Sequence, residues 1–303
     1  GKMVASGSAD KTVQVWRAAD GALLYTYYGY ESPVTSIVWA TDRTNEIASA
    51  GENDGTVQIW DALLDHTYLN WQGDGRVLAL AWQENSPWIA SGGTDREIYT
   101  WNAQTGDKGA SYRGHRGDVR AISWFPGMVP LATPGHATPK AVISGGADGT
   151  VQAWDATNGK HIFTYGEHAA GVNGLTLIRR SSAEQVTAIA SASDDGTVRV
   201  WFPYNVAYSS TQLNTKYVYH GHEGKVNAVA SLFFSSYYYG LSMVSASDDH
   251  TVQVWSISGR PILTYRQHQT PVKALATSPV DHRVVSGDES GQIHLWTVEG
   301  LTY

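Results

Sequence analysis

The chain contains no cysteine. That absence removes disulfides, thiolate metal ligands and a cysteine nucleophile together. It leaves the redox compartment open, because a core of this size holds without covalent staples. Charge is also scarce: charged residues make up 16% of the 303, with a net charge of −7. A general nucleic-acid binder needs a basic stripe to displace counterions from phosphates, so that class is set aside. No run of like charges forms a tail. No helical periodicity is present to carry a glycine-rich phosphate loop. Long apolar runs are missing as well. One stretch that resembles a span, the uncharged Val226 to Ser247, is rich in serine, includes Asn227, and reads as two strands instead of a membrane span. No secretory or transit segment is visible, since the first residues already read as a strand.

What the chain does have is glycine, 31 residues of it, and a phrase that recurs from end to end. The phrase reads Thr12-Val-Gln-Val-Trp16, Thr56-Val-Gln-Ile-Trp60, Glu97-Ile-Tyr-Thr-Trp101 and Thr150-Val-Gln-Ala-Trp154, and continues as Thr197-Val-Arg-Val-Trp201, Thr251-Val-Gln-Val-Trp255 and Gln292-Ile-His-Leu-Trp296. Successive tryptophans lie 44, 41, 53, 47, 54 and 41 residues apart. A period in the low forties, stretched by insertions, suits four-stranded propeller blades. Each copy alternates apolar and polar residues, the period of a strand. Six residues before the tryptophan stands a turn aspartate, Asp10, Asp54, Asp95, Asp148, Asp195 or Asp249, followed by glycine in three copies. Upstream lies a strand of small and β-branched residues. Before that comes a strand led by Val34, Val77, Val119, Val172, Val226 or Val272. Four residues ahead of that valine sits His115, His168, His222 or His268, preceded in turn by phrases such as Tyr25-Thr-Tyr27.

Gly114-His115, Gly221-His222, Trp60-Asp61 and Trp154-Asp155 at these spacings resemble the Gly-His and Trp-Asp pairs of the WD-repeat family, over the whole chain. The phrasing is most similar to bacterial members with near-consensus repeats, although only two tryptophans are followed by aspartate. The resemblance implies an all-β, seven-bladed β-propeller of four-stranded antiparallel blades, with residues 1–303 as a single domain. It also implies a structural hydrogen-bond network in the sets His115, Ser144, Asp148, Trp154; His168, Ser191, Asp195, Trp201; and His222, Ser245, Asp249, Trp255. A histidine near serine and aspartate invites comparison with a hydrolytic triad, but one active site does not need three copies. Tyr30 and Gly73 stand where two blades would carry the histidine, and Ser290 stands in place of the last aspartate. Those blades are expected to be looser at that end, with no relay for Tyr30 to start. His220 and His222 do not make a metal pair, since no carboxylate cluster accompanies them. No catalytic residue, cofactor or metal is assigned. Ser193 to Thr197 only faintly resembles the Asp box of sialidase propellers, because Trp201 falls within the following strand.

The resemblance also places partner-binding candidates. Side chains flanking the leading valine of each innermost strand line one narrow face: Arg76, Asp118, Arg120, Asn173, Lys225, Asn227 and Lys273, with Asp194, Asp248 and Glu289 adding acidity. Insertions on the other face carry Tyr204, Tyr208, Phe234, Tyr237 and Tyr238, and clustered aromatics on loops favour interfaces. Seven second and third strands are present against six first strands, so one blade is expected to be incomplete at the chain ends, as in a fragment of a longer protein. Its unpaired edge offers a route to self-association. The expected function is a non-catalytic, cytoplasmic protein-interaction scaffold, the repeat domain of a larger signalling or regulatory protein, which binds protein or peptide and neither nucleic acid nor membrane. Two alternatives stay open: a propeller enzyme of the glycosidase or lyase class working at the central channel, which needs converging carboxylates, and a structural module without a ligand.

Overall fold

The computed structural model describes residues 2–40, 45–53, 55–64, 66–73, 75–125, 140–179, 186–202, 215–233, 241–278 and 281–298. Among them every regular element is a strand, and no helix is long and apolar enough to cross a membrane. The strands form seven antiparallel meanders, the blades of a seven-bladed β-propeller fold.

Blade 1 comprises Met3–Gly7, Val13–Arg17 and Leu23–Tyr27. Blade 2 runs Val34–Trp39, Glu46–Gly51, Thr56–Asp61 and Thr67–Gln72, and blade 3 runs Val77–Trp82, Trp88–Gly93, Ile98–Asn102 and Lys108–Tyr112. Blade 4 is Val119–Phe125, Ala141–Gly146, Val151–Asp155 and His161–Tyr165. Blade 5 is Val172–Arg179, Val186–Ser193, Val198–Trp201 and Thr215–Tyr219, and blade 6 is Val226–Phe233, Leu241–Ser247, Val252–Ser256 and Pro261–Tyr265. Blade 7 shows Val272–Thr277, Arg283–Asp288 and Ile293–Thr297. Blades 1 and 7 therefore have three strands each among the described residues. Two compact units divide the chain: one of Lys2–Asp148 and Gln152–Thr164, and one of Gly149–Val151, Tyr165–Tyr303 and Gly1.

The sequence pattern explains the layering. The second strand is built from small residues because both of its faces are covered: Ala48, Ser49, Ala50 and Ala90 are fully or almost fully buried, as are Ala188, Ala190 and Ala192. The third strand carries the large side chains, and Trp60, Trp101, Trp154, Trp201 and Trp255 are completely enclosed. A tyrosine at the end of one blade's fourth strand stacks on the tryptophan of the next blade. Ring centroids lie 4.5 Å apart for Tyr27–Trp60, 4.4 Å for Tyr165–Trp201 and 4.5 Å for Tyr219–Trp255. Offset-stacked pairs of this kind add to plain area burial.

The hairpin between second and third strands is a tight turn closed by its aspartate. In blade 1 the Asp10 carboxylate accepts hydrogen bonds from the Thr12 amide and hydroxyl, and Asp195 and Asp249 repeat the pattern with Thr197 and Thr251. The following residue adopts positive φ, supplied by glycine at 149 and 196 and by Lys11, Arg96 and His250 elsewhere. A side chain in that conformation costs about 1 kcal/mol, which the closed turn offsets.

Candidate functional site

Two sets of polar residues meet at the ends of the blades, one buried and one exposed. The buried set is a relay repeated from blade to blade. In blade 6 His222 Nδ1 lies 2.8 Å from the Asp249 carboxylate, its Nε2 lies 2.8 Å from Ser245 Oγ, and Trp255 Nε1 donates to the same Ser245 Oγ at 3.1 Å. Blade 5 repeats it through His168, Asp195, Ser191 and Trp201, at 2.8, 2.8 and 3.4 Å. In blade 4 His115 reaches Asp148 at 3.0 Å and Ser144 at 2.9 Å, but the Trp154 indole N–H finds no acceptor among the described residues. A carboxylate can only accept, so Nδ1 carries the proton and Nε2 accepts from the serine hydroxyl. The chain of donation runs from indole through hydroxyl and imidazole to carboxylate.

Burial fixes the charges. Burial pushes the His168 pKa down, with Asp195 opposing it. Burial alone would raise Asp195, but hydrogen bonds from Thr197 and His168 outweigh it and hold the carboxyl at about 2. The same balance, with His222 and Thr251 as donors, lowers Asp249. The three serines are fully buried and both nitrogens of each imidazole are engaged. These groups have the composition of a hydrolytic triad, and although Asp195 and His222 border an open cleft, the side chains of all three histidines are wholly enclosed.

Three departures in the repeats fall out differently from their sequence reading. Tyr30 does not leave blade 2 without a relay: its hydroxyl bonds Ser49 at 2.7 Å, and Trp60 Nε1 donates to the same Ser49 Oγ at 2.9 Å. A phenol reaching from the histidine position does the imidazole's work on the serine side. Blade 7 is not loosened by Ser290, because Asp288, two residues upstream, bonds His268 Nδ1 at 2.8 Å while Ser286 takes Nε2 at 2.8 Å. Burial would raise Asp288, but Ser290 and His268 hold it at about 2. Blade 3 does lack its relay, through a shorter loop. Val77 follows Trp71 by six positions, whereas Val119 follows Tyr112 by seven. A Cβ on Gly73 would meet the Trp71 ring at 3.0 Å, as one on Gly114 would meet Tyr112. Gly73 thus matches the glycine of the motif, and in the sequence Asp74 follows it where the other blades carry histidine or tyrosine. Ser91 Oγ and Trp101 Nε1 are buried there with no partner among the described residues.

A second buried link was missed by sequence reasoning. Tyr112 donates to Gln152 Oε1 at 2.7 Å and Tyr219 to Gln253 Oε1 at 2.6 Å, and Tyr27 bonds Gln58 likewise. Gln58 and Gln253 then donate to the carbonyls of Gly29 and Gly221, at 3.0 Å each. The signal was the glutamine at the centre of the recurring phrase, where an exposed strand position tolerates any polar residue.

The exposed set comprises the residues flanking each leading valine. A β-bulge follows that valine in every complete first strand, at Thr35, Leu78, Arg120, Asn173, Asn227 and Lys273. Bulges re-aim a side chain, and here they aim it at the next blade. Thr35 Oγ1 donates to the Val77 carbonyl at 2.6 Å, Asn173 Nδ2 to Val226 at 3.1 Å and Asn227 Nδ2 to Val272 at 2.8 Å. Asn173 and Asn227 also bond Asp194 and Asp248, at 2.9 and 2.8 Å. Lys225 pairs with Asp194 at 3.6 Å, and Lys273 with Asp248 at 2.6 Å and Glu289 at 3.9 Å. Burial would raise Asp248, but Asn227 and Lys273 lower it. In the other unit Arg76 pairs with Glu52, while Asp118 and Arg120 are half-buried on either side of Val119. An open cleft of ≈ 300 Å³, lined by Asp194, Thr197, His220, Glu223 and Lys225 together with Asp195 and His222 of the relay, lies beside this ladder between the blade 5 hairpin and the loop entering blade 6. Among the described residues no group of three or more His, Asp or Glu could hold a metal ion. Tyr204, Tyr208, Phe234, Tyr237 and Tyr238 lie outside the described residues.

Comparison with known proteins follows the repeats. A family model described as "WD domain, G-beta repeat" matches residues 1–17, 21–61, 66–102, 106–155, 159–201, 213–256 and 259–297. The chain is similar to Telomerase protein component 1 of Mus musculus, 25% identical over 316 residues that cover 97% of this chain and 11% of that protein. It is similar to the Guanine nucleotide-binding protein subunit beta of Oryza sativa subsp. japonica, 26% identical over 293 residues, 89% of this chain and 70% of that one. It is also similar to the Angio-associated migratory cell protein of Homo sapiens, 25% identical over 306 residues, 97% of this chain and 64% of that one. The chain thus spans about a tenth of the first relative's length and under two thirds of the third's. These relatives are eukaryotic, and the likeness to bacterial members in particular draws no support from them.

Proposed function

The chain belongs to the WD domain, G-beta repeat family, and from that premise we propose that it is a non-catalytic protein-interaction scaffold whose polar partner docks at the ends of blades 5 to 7. The observation that carries this reading is the contrast between the two polar sets. Groups with catalytic chemistry are buried and bonded to one another, whereas the exposed Lys225, Lys273 and Glu289 alternate in sign with the half-buried Asp194 and Asp248 beside an open cleft. Alternating charge selects a partner with the opposite pattern more than it adds affinity. Asn173 and Asn227 serve that surface indirectly, as clamps that hold successive blades in register, and the partner contacts fall to the lysines and acids around them. The finer reading makes this the repeat domain of a larger cytoplasmic signalling or regulatory protein.

Panning a random peptide library against the chain tests the proposal. Enriched peptides should be polar, and should lose binding to the double variant Lys225→Glu, Lys273→Glu while its melting temperature stays within a few degrees. Peptides that bind this variant as well as the parent would move the partner site elsewhere.

A further inference from the structure

Large exposed apolar side chains are not spread evenly. Among the described residues six of the nine belong to blades 1 and 2: Leu23, Leu24, Tyr28, Leu63, Leu64 and Tyr68. The repeats supply their own control for the turn between third and fourth strands. That turn reads Asn102-Ala-Gln-Thr in blade 3 and Asp155-Ala-Thr-Asn in blade 4, but Asp61-Ala-Leu-Leu in blade 2. Its described backbone makes the side-chain and inter-strand hydrogen bonds seen at the start of the polar versions. Asp61 Oδ1 accepts from the Leu63 and Leu64 amides at 2.8 and 3.1 Å, and the Ala62 amide donates to the Asn45 carbonyl at 2.7 Å. Leu63 and Leu64 are thus held outward, 49% and 60% exposed, by a preorganised turn. Leucines that only filled the turn would have no reason to replace polar residues there.

The strand that follows is equally unusual. Thr67–Gln72 is the outermost strand of its sheet, and a long uncharged edge is a template for pairing unless it is guarded by lysine or proline. The outer strands of blades 3 to 6 have such guards beside their start, Lys108, Lys160, Lys216 and Arg260-Pro261, whereas Leu23–Tyr27 of blade 1 has none. Blade 2 has none, and its edge begins with Tyr68, 46% exposed, whose ring stands edge-on to His66 at 4.8 Å. The environment there is negative. The Tyr68 pKa is raised first by desolvation and then by the charges of Asp61 and Glu46.

We propose that the outer edge of Thr67–Gln72 receives an extended segment of another protein, whose apolar residues cover Leu63, Leu64 and Tyr68 and whose lysine or arginine meets Asp61. Main-chain pairing supplies the affinity, and the apolar tip with its acidic neighbour sets direction and register. The occupant is not a second copy of this chain, because that would bring together two bodies of net charge −7. The inference rests on the scaffold reading but uses none of the residues assigned to blades 5 to 7.

The probe is a short capped peptide alternating leucine with threonine behind one lysine, read by calorimetry and amide hydrogen exchange. It should slow exchange of the Thr67–Gln72 amides. The double variant Leu63→Ser, Leu64→Ser and the single variant Tyr68→Lys should each weaken it by about tenfold or more. All three substitutions are at exposed positions, so unchanged melting temperatures certify the fold. N-methylation along one peptide edge, or glutamate for its lysine, should weaken binding too. The Lys225→Glu, Lys273→Glu variant should bind the probe normally, which separates this site from the first. Protection elsewhere, equal binding by the Tyr68→Lys chain, or concentration-dependent protection of this edge without peptide, which would mean a second copy, overturns the proposal.

Discussion

Blades 3 and 6 share a four-stranded meander and a fully enclosed third-strand tryptophan, yet they treat the polar groups beside it in opposite ways. In blade 6 the indole, a serine, a histidine and an aspartate form an unbroken line of donors and acceptors. Blade 3 keeps the serine, the tryptophan and Asp95 but lacks the histidine, and Ser91 and Trp101 are enclosed with no partner among the described residues. In its place Trp71 stacks on Trp101 with centroids 5.7 Å apart, where blade 6 uses the smaller Tyr219. A larger ring fills a shorter loop. The relay is therefore not what makes a blade; apolar packing does that, and the relay removes the penalty of enclosing polar atoms at one end of it. Removing a relay member should then cost most where the rest of the relay stays behind.

Tyr30→Ala should show the largest loss. The ring is buried, it packs edge-on to Tyr27 with centroids 6.0 Å apart, and its hydroxyl serves Ser49. Deleting it combines a cavity with a lost hydrogen bond, about 3 kcal/mol or more. Urea denaturation of the parent and variant measures it. A loss under about 1 kcal/mol would mean that Tyr30 is not a working substitute for the histidine.

His222→Ala comes next, at about 1–3 kcal/mol, because Asp249 and Ser245 would stay enclosed after losing their partner. The same denaturation experiment reads it. The comparison sharpens if the loss approaches the upper end, since blade 6 has no larger ring to fill the space as Trp71 does in blade 3. A negligible loss would make blade 6 as indifferent to its relay as blade 3 is.

The seven-blade plan was legible because it rests on repetition, and each copy of the phrase ending in tryptophan corrects the noise in the others. The relay of blades 5 and 6 was legible for the same reason, and that of blade 4 without its tryptophan, whose indole N–H meets no acceptor among the described residues. What sequence reading missed is what single copies do. Asp288 sits two residues from the aligned position, and only the hairpin's geometry reveals that its carboxylate still reaches His268. Tyr30 aligns with a histidine but differs in chemistry, and nothing in one sequence says that a phenol spans the distance to Ser49. The candidate partner residues divided for a related reason. Spacing locates the bulge after each leading valine but not its aim, so Asn173 and Asn227 were grouped with Lys225 and Lys273 although they reach back into the fold.

The smallest effect separates the two blades most directly. Ser91→Ala removes a hydroxyl from a residue that is 1% exposed and has no partner among the described residues, so the folded chain gives up no bond seen there and sheds the cost of having desolvated it. The substitution should be neutral, or stabilising by up to about 1 kcal/mol. Ser245→Ala removes an equally buried hydroxyl that accepts the Trp255 N–H and donates to His222, and should destabilise by about 1–2 kcal/mol. Measured side by side, the pair cancels the contributions common to any serine-to-alanine change on a second strand, including the methyl group's transfer and its strand propensity. What remains is the value of the relay itself. If both variants lose the same stability, then Ser91 has found a partner in solution, and the difference between the blades reduces to which rings fill them.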